Sequence, residues 1–365
     1  MTTPPMPDAY DDTGVRCTML RGGTSRGLYF VASDLPADPA ARDDLLLRLM
    51  GTPDPRQIDG LGGATSLTSK VAVVSPSAAG DADVDYLFLQ VGVEEATVSD
   101  RQNCGNLLAG VGPFALERGL VRAAGDEATV RIRMVNSGSV AVARFPAPGG
   151  VPEYRGGTAI DGVPGTAAPV SLEFAGTAGS ATGHLLPTGR VRDVVDGVEV
   201  TCVDNGMPVV LAAASSLGLA GDEPVARLEA DSALRQRIDG LRRAAALAMG
   251  LGDVAGAPVP KTVLVAAPRD GGDVATRSFI PVRPHSAIGV LAAVSAVTGL
   301  LLPGAVGHEI LAAHPAGGVV DVEHPAGHLL VDVAVSAAAD GPHVLRSGVV
   351  RTARKLFDGL AFPRS

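Results

Sequence analysis

The sequence predicts an α+β protein made of two similar halves, each with a mixed sheet or barrel of short strands around one hydrophobic helix. Two observations predict this fold: similar features recur in the same order 182 to 191 residues apart, and each half has one helix-forming stretch that is apolar throughout. A helix that is apolar on nearly every face has to be surrounded by protein. We expect the active site in the cleft between the halves, a usual place for a small ligand.

Four pairs of features indicate the duplication. They are Cys17 and Cys202 in a strand–turn–strand unit, Lys70 and Lys261 at the start of an apolar strand, Cys104 and Ser286 at the start of an apolar helix, and Gly138 and Gly327 in a turn between strands. The apolar helices are predicted over 104–118 and 286–301. The predicted domains are a disordered tail, 1–14, and two halves, 15–183 and 184–365, with the last strand free to cross back to the first half.

Composition excludes several classes of protein. The chain has 365 residues, a formal net charge of -9, 3% aromatic residues and no Trp, so it lacks the basic faces and stacking platforms of nucleic-acid-binding proteins. Three cysteines are an odd number, which argues against a disulfide framework. The start of the chain has no apolar signal region, and the apolar stretch 287–302 ends at Pro303, as a buried core helix does. We therefore expect a cytoplasmic protein without membrane or nucleic-acid partners.

Metal and dinucleotide sites are not predicted. The stretch 110–115 matches G-x-G-x-x-A, but it lies inside a helix with no strand directly before it. His308 and His314 are six residues apart and point to different faces of a helix. His324 and His328 have a proline and a glycine between them, which oppose a helix. We therefore expect neither a metal nor a nucleotide cofactor.

Cys104 lies at the predicted start of the first apolar helix, in the sequence Asn-Cys-Gly-Asn from Asn103 to Asn106. The positive end of a helix favours a thiolate, and its free N–H groups can hold a carboxylate or an enolate oxygen. The alternative is a small, unreactive cysteine buried at a helix start. Two asparagines and a glycine are unusual neighbours in a core, which favours the functional interpretation.

Lys70 is one of only three lysines among 30 basic residues. It begins the apolar strand 71–74, where partial burial would favour the neutral amine and make it a candidate general base. The alternative is a solvent-exposed lysine at a strand end. The preceding loop, with Gly62, Gly63 and Ser69, and the turn from Arg21 to Gly27 could donate backbone N–H groups to an anion, or could be simple tight turns.

Five stretches together resemble the PrpF family, which includes the 2-methylaconitate isomerases. They are RGGTSRG (21–27), DGLGGATSLTSKVAVV (59–74), NCGNLLAGVGPFALERGL (103–120), DNGMPVV (204–210) and RSFIPVRPHSAIG (277–289). The resemblance extends over nearly all of 15–362. It implies a diaminopimelate-epimerase-like fold and a cofactor-independent isomerase. Most closely, it implies a tautomerase that moves a proton on 4-oxalomesaconate in gallate or protocatechuate degradation.

The resemblance places the catalytic pair on Lys70 and Cys104, the two residues singled out above. The substrate-binding residues that it implies are Arg21, Thr24, Ser25, Gly62, Gly63, Ser69, Asn103, Gly105, Asn106, Arg277, Ser278, His285 and Ser286. Arg21, Arg26, Arg277 and the two helix N-termini are the candidates for the positive potential that a trianionic substrate needs. Which of Lys70 and Cys104 is acid and which is base stays open.

The chain departs from the epimerases of this fold, which use one cysteine from each half. Here the second helix is predicted to begin at His285-Ser286, and a serine is no comparable acid or base, so two-base racemisation is disfavoured. An isomerase acting on 2-methylaconitate or aconitate is the nearest alternative, and a non-catalytic tricarboxylate-binding protein is the alternative from another class. The sequence leaves the oligomeric state, including a homodimer, open.

Overall fold

The computed structural model describes residues 14–311, 314, 317–338 and 341–365, so the predicted tail lies outside it apart from Gly14. Within this part the chain forms two compact units, one ending at Val170 and joined by 351–365, the other covering 171–350. Each unit has one apolar helix packed on strands, so the α+β class with two similar halves is confirmed. Along the chain, the boundary between the units follows Val170. The predicted domain limits of 15–183 and 184–365 stay a prediction.

The described part of the first unit begins with a hairpin and contains two α-helices. Its elements are β1 (Val15–Gly22), β2 (Ser25–Val31), α1 (Pro39–Met50), β3 (Lys70–Pro76), β4 (Val84–Val91), β5 (Val98–Ser99), α2 (Gly105–Glu117), β6 (Glu127–Met134) and β7 (Val140–Pro146). β2 is antiparallel to β1 and parallel to β3. β4 is antiparallel to β3 and β5 and parallel to β6, which forms a hairpin with β7.

α2 is the predicted apolar helix, and every residue from Leu107 to Leu116 is buried. It contacts strands β1, β2, β3, β4, β6 and β7. α1 is amphipathic and covers the opposite face of β2 and β3, where Leu46 and Leu49 pack against Leu28, Phe30 and Val71. Alternate residues of the strands therefore face α1 or α2.

The second unit repeats this plan. β8 (Pro169–Phe174) crosses from the first unit, and the following elements are β9 (Asp193–Val195), β10 (Val198–Asp204), β11 (Pro208–Ala213), α3 (Val225–Ala230), α4 (Ser232–Ala248), β12 (Lys261–Ala266), β13 (Val274–Ile280), β14 (Arg283–Pro284), α5 (Val290–Leu301), β15 (Gly317–His324) and β16 (Gly327–Ala338). The last strand, β17 (Gly341–Ala361), continues into the first unit, where it is antiparallel to β1.

The pairings of β10 to β16 match those of β1 to β7 one for one. β10–β11, β12–β13, β13–β14 and β15–β16 are antiparallel, and β11–β12 and β13–β15 are parallel. Lys70 and Lys261 are the first residues of the equivalent strands β3 and β12. The duplication inferred from spacing alone is therefore a duplication of topology.

The second apolar helix starts later than predicted. α5 begins at Val290 with Gly289 as its N-cap, whereas the sequence analysis began it at Ser286. His285 delays the helix because its Nδ1 accepts the N–H of Ala287 at 2.8 Å. The equivalent of Cys104, the N-cap of α2, is therefore Gly289 and not Ser286. Residues 292–301 are buried as predicted, and no helix in the described ranges is both long and apolar enough to cross a membrane.

Asn205, directly after β10, joins three parts of the second unit. Its Nδ2 donates to Thr298 Oγ1 at 2.8 Å and to Ser347 Oγ at 2.7 Å, and its backbone N–H donates to Ser295 Oγ at 3.0 Å. All four residues are at most 3% exposed. Buried polar groups of this kind hold elements in one arrangement because each lost partner leaves a desolvated group unpaired.

Replacing Asn205 by Ala should lower the free energy of unfolding by about 2 to 3 kcal/mol, because two buried hydroxyls lose their donor. Chemical denaturation measures this change. The control is Ser216→Ala, an exposed hydroxyl whose bond is to a carbonyl three residues away; it should change stability by no more than about 0.5 kcal/mol. Equal effects of the two substitutions would contradict the role assigned to Asn205.

Candidate active site

Cys104 caps the N-terminus of α2, as the sequence predicts. It has extended backbone dihedrals, Leu108 donates its N–H to the Cys104 carbonyl, and the side chain is buried at 9% exposure. A Cβ added to the next residue, Gly105, would meet no atom within 4 Å. The first turn of the helix therefore has free space beside it, where its N–H groups can bind an oxyanion.

Two tyrosine hydroxyls surround this helix end. Tyr86 Oη donates to the Cys104 carbonyl at 3.3 Å, and Tyr29 Oη donates to the Leu107 carbonyl at 2.6 Å. Burial raises the pKa of both tyrosines well above the usual range, and the charge of a Cys104 thiolate would raise each further. Both hydroxyls therefore keep their protons and act as donors.

Lys70 is 7% exposed, so the alternative of a solvent-exposed lysine at a strand end is wrong. Its Nζ donates to Gln90 Oε1 at 2.8 Å and lies 4.9 Å from the ring centre of Phe88. Gln90 is fixed in turn, because its Nε2 donates to the Ser69 carbonyl at 2.9 Å. The amine thus has one neutral hydrogen-bond acceptor and an aromatic face beside it.

The alternation of β4 puts Lys70 and Cys104 on one side of the sheet. Tyr86, Phe88 and Gln90 point to the same face, since side chains two apart on a strand do so. Tyr86 reaches Cys104 from this face, while Gln90 and Phe88 contact Lys70.

Gly27, which pairs with Lys70, supports the same arrangement. A Cβ added there would lie 2.8 Å from Leu107 of α2 and 2.5 Å from the Lys70 carbonyl. The first turn of α2 therefore packs directly beside the start of β3.

The second unit contains the equivalents of Lys70 and Cys104, and the distance between them can be given. Lys261 and Gly289 occupy there the positions of Lys70 and Cys104, and a Cβ added to Gly289 would lie 3.5 Å from Lys261 Nζ. In this repeat of the topology, a lysine that begins the strand therefore reaches the N-cap of the apolar helix. Burial lowers the pKa of Lys261.

The glycine turn between β1 and β2 packs directly on α2. Asn106 Nδ2 donates to Thr24 Oγ1 at 3.0 Å and to Ser25 Oγ at 3.3 Å. A Cβ on Gly22 would lie 2.3 Å from the Asn106 carbonyl oxygen, and Gly23 has φ +51°. Only glycine fits both positions, so Thr24, Ser25 and Asn106, all predicted to bind substrate, form one cluster.

Other predicted binding residues of the first unit have internal partners. Ser69 Oγ donates to Gln57 Oε1 at 2.6 Å, and the carbon chain of a residue at Gly62 would overlap the Gln57 side chain. Gly63 packs against Arg26 and Thr68. Gly62, Gly63 and Ser69 are thus held by neighbouring side chains, whereas residues 64–67 of the same loop are exposed.

A cavity of about 680 Å³ opens beside the glycine turn within the first unit. Its wall includes Arg21, Thr24 and Ser25 from the predicted set, and also Arg26, together with the segment 162–167. Neither Lys70 nor Cys104 lines it. The predicted residues of the first unit therefore lie at two places, the start of α2 and the arginine-rich cavity, and Thr24 and Ser25 belong to both.

The predicted residues of the second unit lie on β13 and in the turn before α5, and the His285 N–H donates to the Ser278 carbonyl at 2.8 Å. Arg277 and Ser278 are neighbours on β13 and point to opposite faces. Arg277 donates to the carbonyls of Glu223 and Thr276, both at 2.8 Å, and burial lowers its pKa. Ser278 Oγ is buried without a hydrogen-bond partner, while His285 and Ser286 lie in the turn before α5.

Comparison with known sequences decides the family. The sequence model of the PrpF protein family matches residues 13–363. The chain belongs to the PrpF family. It is 55% identical over 348 residues to the "(4E)-oxalomesaconate Delta-isomerase" of Novosphingobium sp. strain KA1, covering 95% of this chain and 96% of that protein. It is 54% identical over 351 residues to the "4-oxalomesaconate tautomerase" of Pseudomonas putida, with the same coverage.

One solved structure shares the fold of this chain. The crystal structure of a methylitaconate-delta-isomerase superposes with a TM-score of 0.82 at 32% identity, over 96% of each chain. The predicted family and the predicted isomerase class are confirmed by these relatives.

The sequence analysis missed Gln90, Phe88, Tyr29 and Tyr86, which contact Lys70 or the helix end at Cys104. Gln90 lies near the end of β4 between the apolar residues Leu89 and Val91, and this single amide was the available signal. Which residue faces Lys70 depends on strand register, which only the pairing Lys70–Gln90 reveals.

Replacing Gln90 by Glu should hold the Lys70 amine in its charged form, since a carboxylate would replace a neutral oxygen at 2.8 Å. We expect a loss of activity at neutral pH with partial recovery toward alkaline pH. The pH profile of kcat/KM measures this, with Gln90→Leu as the uncharged comparison. An unchanged profile in Gln90→Glu would contradict a role of Lys70 as base.

Proposed function

We propose that the protein is an isomerase that moves a proton on 4-oxalomesaconate. The observation that carries this proposal is the pair of relatives at 55% and 54% identity, over 95% of the chain, whose names specify this compound. Relatives named 3-methylitaconate isomerase and 2-methyl-aconitate isomerase are only 34% and 35% identical. The alternative substrates are therefore less favoured.

The reaction begins with an acidic C–H bond. In 4-oxalomesaconate a methylene carbon lies between an oxo group and an alkene, so its conjugate base is a dienolate delocalised over both. Lys70, as the neutral amine, would take this proton. The C–H electron pair then becomes part of the new double bond, and negative charge develops on the former oxo oxygen. A proton delivered to that oxygen gives the enol, and one delivered to the distal alkene carbon gives the shifted alkene.

Cys104 and the start of α2 supply the other half of the reaction. The unpaired N–H groups of the first turn would hold the dienolate oxygen, beside the open space at Gly105. The Cys104 thiol would deliver the second proton or orient the substrate. Asn103 and Asn106 flank this helix end, and Asn106 fixes the adjacent turn through Thr24 and Ser25.

The duplicated topology supports this assignment of roles. Since Lys261 reaches the helix N-cap in the second unit, the same backbone arrangement would bring Lys70 to Cys104 in the first. A thiol stands at this position only in the first unit, because Gly289 has no side chain. The chemistry would therefore use one amine and one thiol, both from the first unit.

We also propose that the protein works in the cytoplasm. Its three cysteines are all buried and free of disulfide bonds, as is usual for a protein of a reducing compartment.

Turnover of 4-oxalomesaconate in deuterated buffer tests the proposed reaction. We expect a change in ultraviolet absorbance as conjugation changes, and deuterium bound to carbon in recovered substrate or product. NMR locates the label: deuterium on the distal alkene carbon indicates the allylic shift, and exchange only at the methylene indicates keto–enol exchange. Binding without any exchange would contradict the proposal and would support a non-catalytic binding protein.

Lys70→Met and Cys104→Ala should each lower kcat by about 10² to 10⁴, the usual contribution of a positioned acid or base. Steady-state kinetics with 4-oxalomesaconate measures this. The matched control is Lys355→Met, because Lys355 is paired with Glu117 at 2.8 Å and is partly exposed. Full activity of both site variants would overturn the assignment of this pair.

A further inference from the structure

Three arginines stand side by side on neighbouring strands of the first unit. Arg21 of β1 pairs with Arg26 of β2 on one side and with Arg354 of β17 on the other. We name Arg354, Arg21 and Arg26 the arginine row. We infer that the cavity at the arginine row is a second anion-binding site for a small polycarboxylate, separate from the reacting pair.

The row is electrostatically unfavourable without a bound anion. Like charges placed directly opposite on paired strands repel each other. The lining of the cavity contains no Asp or Glu among the described residues, and its fourth arginine, Arg155, is paired with Glu153 at 3.5 Å. Three uncompensated guanidinium groups around one cavity create a positive potential that attracts anions.

Hydrogen bonding points the same way. Arg21 Nη1 donates to the carbonyls of Gly23 and Thr352 and to Thr352 Oγ1, at 2.8 to 3.1 Å, and all of these acceptors are neutral. Arg26 Nε is buried and has no hydrogen-bond partner. In the described part of the chain no carboxylate pairs with any member of the row. A buried guanidinium N–H without an acceptor is costly, and a bound carboxylate would supply one.

The neighbourhood of Arg21 agrees with this account. Burial lowers the pKa of Arg21, and the positive charge of Arg354 lowers it further. An anion between them would favour the charged guanidinium and so oppose both effects.

The site is separate from the reacting pair because of strand alternation. Arg26 is on the face of β2 that also carries Leu28 and Phe30, which pack with α1. Gly27 and Tyr29 are on the other face and contact α2 and Lys70. Only the turn residues Thr24 and Ser25 belong to both places, since they line the cavity and accept hydrogen bonds from Asn106.

The dimensions suit a small organic acid. A volume of about 680 Å³ lies within the usual range for small-molecule sites. The row presents planar donors along three adjacent strands, spaced by roughly 5 Å at each step. Two carboxylates of one molecule can therefore bind two arginines at once.

Calorimetric titration with citrate, a tricarboxylate, tests the inference on the intact enzyme. Arg354→Gln should weaken citrate binding at this site about tenfold, the effect of losing one charged hydrogen bond. The KM for 4-oxalomesaconate should change less than twofold. Arg16→Gln is the matched control, because Arg16 is an exposed arginine of β1 paired with Asp358; its citrate affinity should equal that of the wild type.

Two results would overturn the inference. Citrate affinity unchanged in both Arg354→Gln and Arg26→Gln would show that the row binds no anion. A rise in KM that parallels the loss of citrate affinity would show that the cavity is the substrate site itself. Arg354→Lys is the control for misfolding, because it keeps the charge. It should keep more of the citrate affinity than Arg354→Gln, and its melting temperature should be that of the wild type. The deuterium exchange experiment is independent of all these results.

Discussion

The burial of α2 against one face of its strands is the constraint on which the site depends. An apolar helix that is buried over ten residues has to press its first turn against the sheet. Gly22, Gly23 and Gly27 permit this approach, because a side chain at any of them would overlap Asn106, Leu107 or Lys70. The same packing that stabilises the unit therefore brings the helix end with Cys104 beside the strand that Lys70 begins.

Much of this could be predicted from the sequence, and the rest depends on register. Spacing predicts the duplication and both apolar helices, and it puts Lys70 at the start of a strand and Cys104 at the start of a helix, because these features depend on local composition and order. Strand pairing decides that Gln90 faces Lys70 and that Arg21 lies between Arg26 and Arg354. The predicted start of α5 was wrong by four residues, because a hydrogen bond from the Ala287 N–H to His285 Nδ1 holds the preceding turn.

The two copies of the topology have diverged in their chemistry. The first copy has a lysine, a cysteine and two tyrosine hydroxyls around the start of its apolar helix. The second keeps the lysine at β12 but has glycine at the N-cap of α5. A symmetric pair of thiols is therefore absent from the described structure, and a proton shift between different carbons of one substrate suits such an asymmetric pair better than inversion at one carbon.

The most direct measurement is a crystal structure of Cys104→Ala with 4-oxalomesaconate bound. The account predicts Lys70 Nζ about 3 to 3.5 Å from the methylene carbon of the substrate, a distance suited to proton transfer. It also predicts the former oxo oxygen at the N–H groups of α2, with the Cβ of residue 104 facing the alkene. Substrate bound away from α2, with Lys70 still directed to Gln90 and remote from every substrate carbon, would contradict the account.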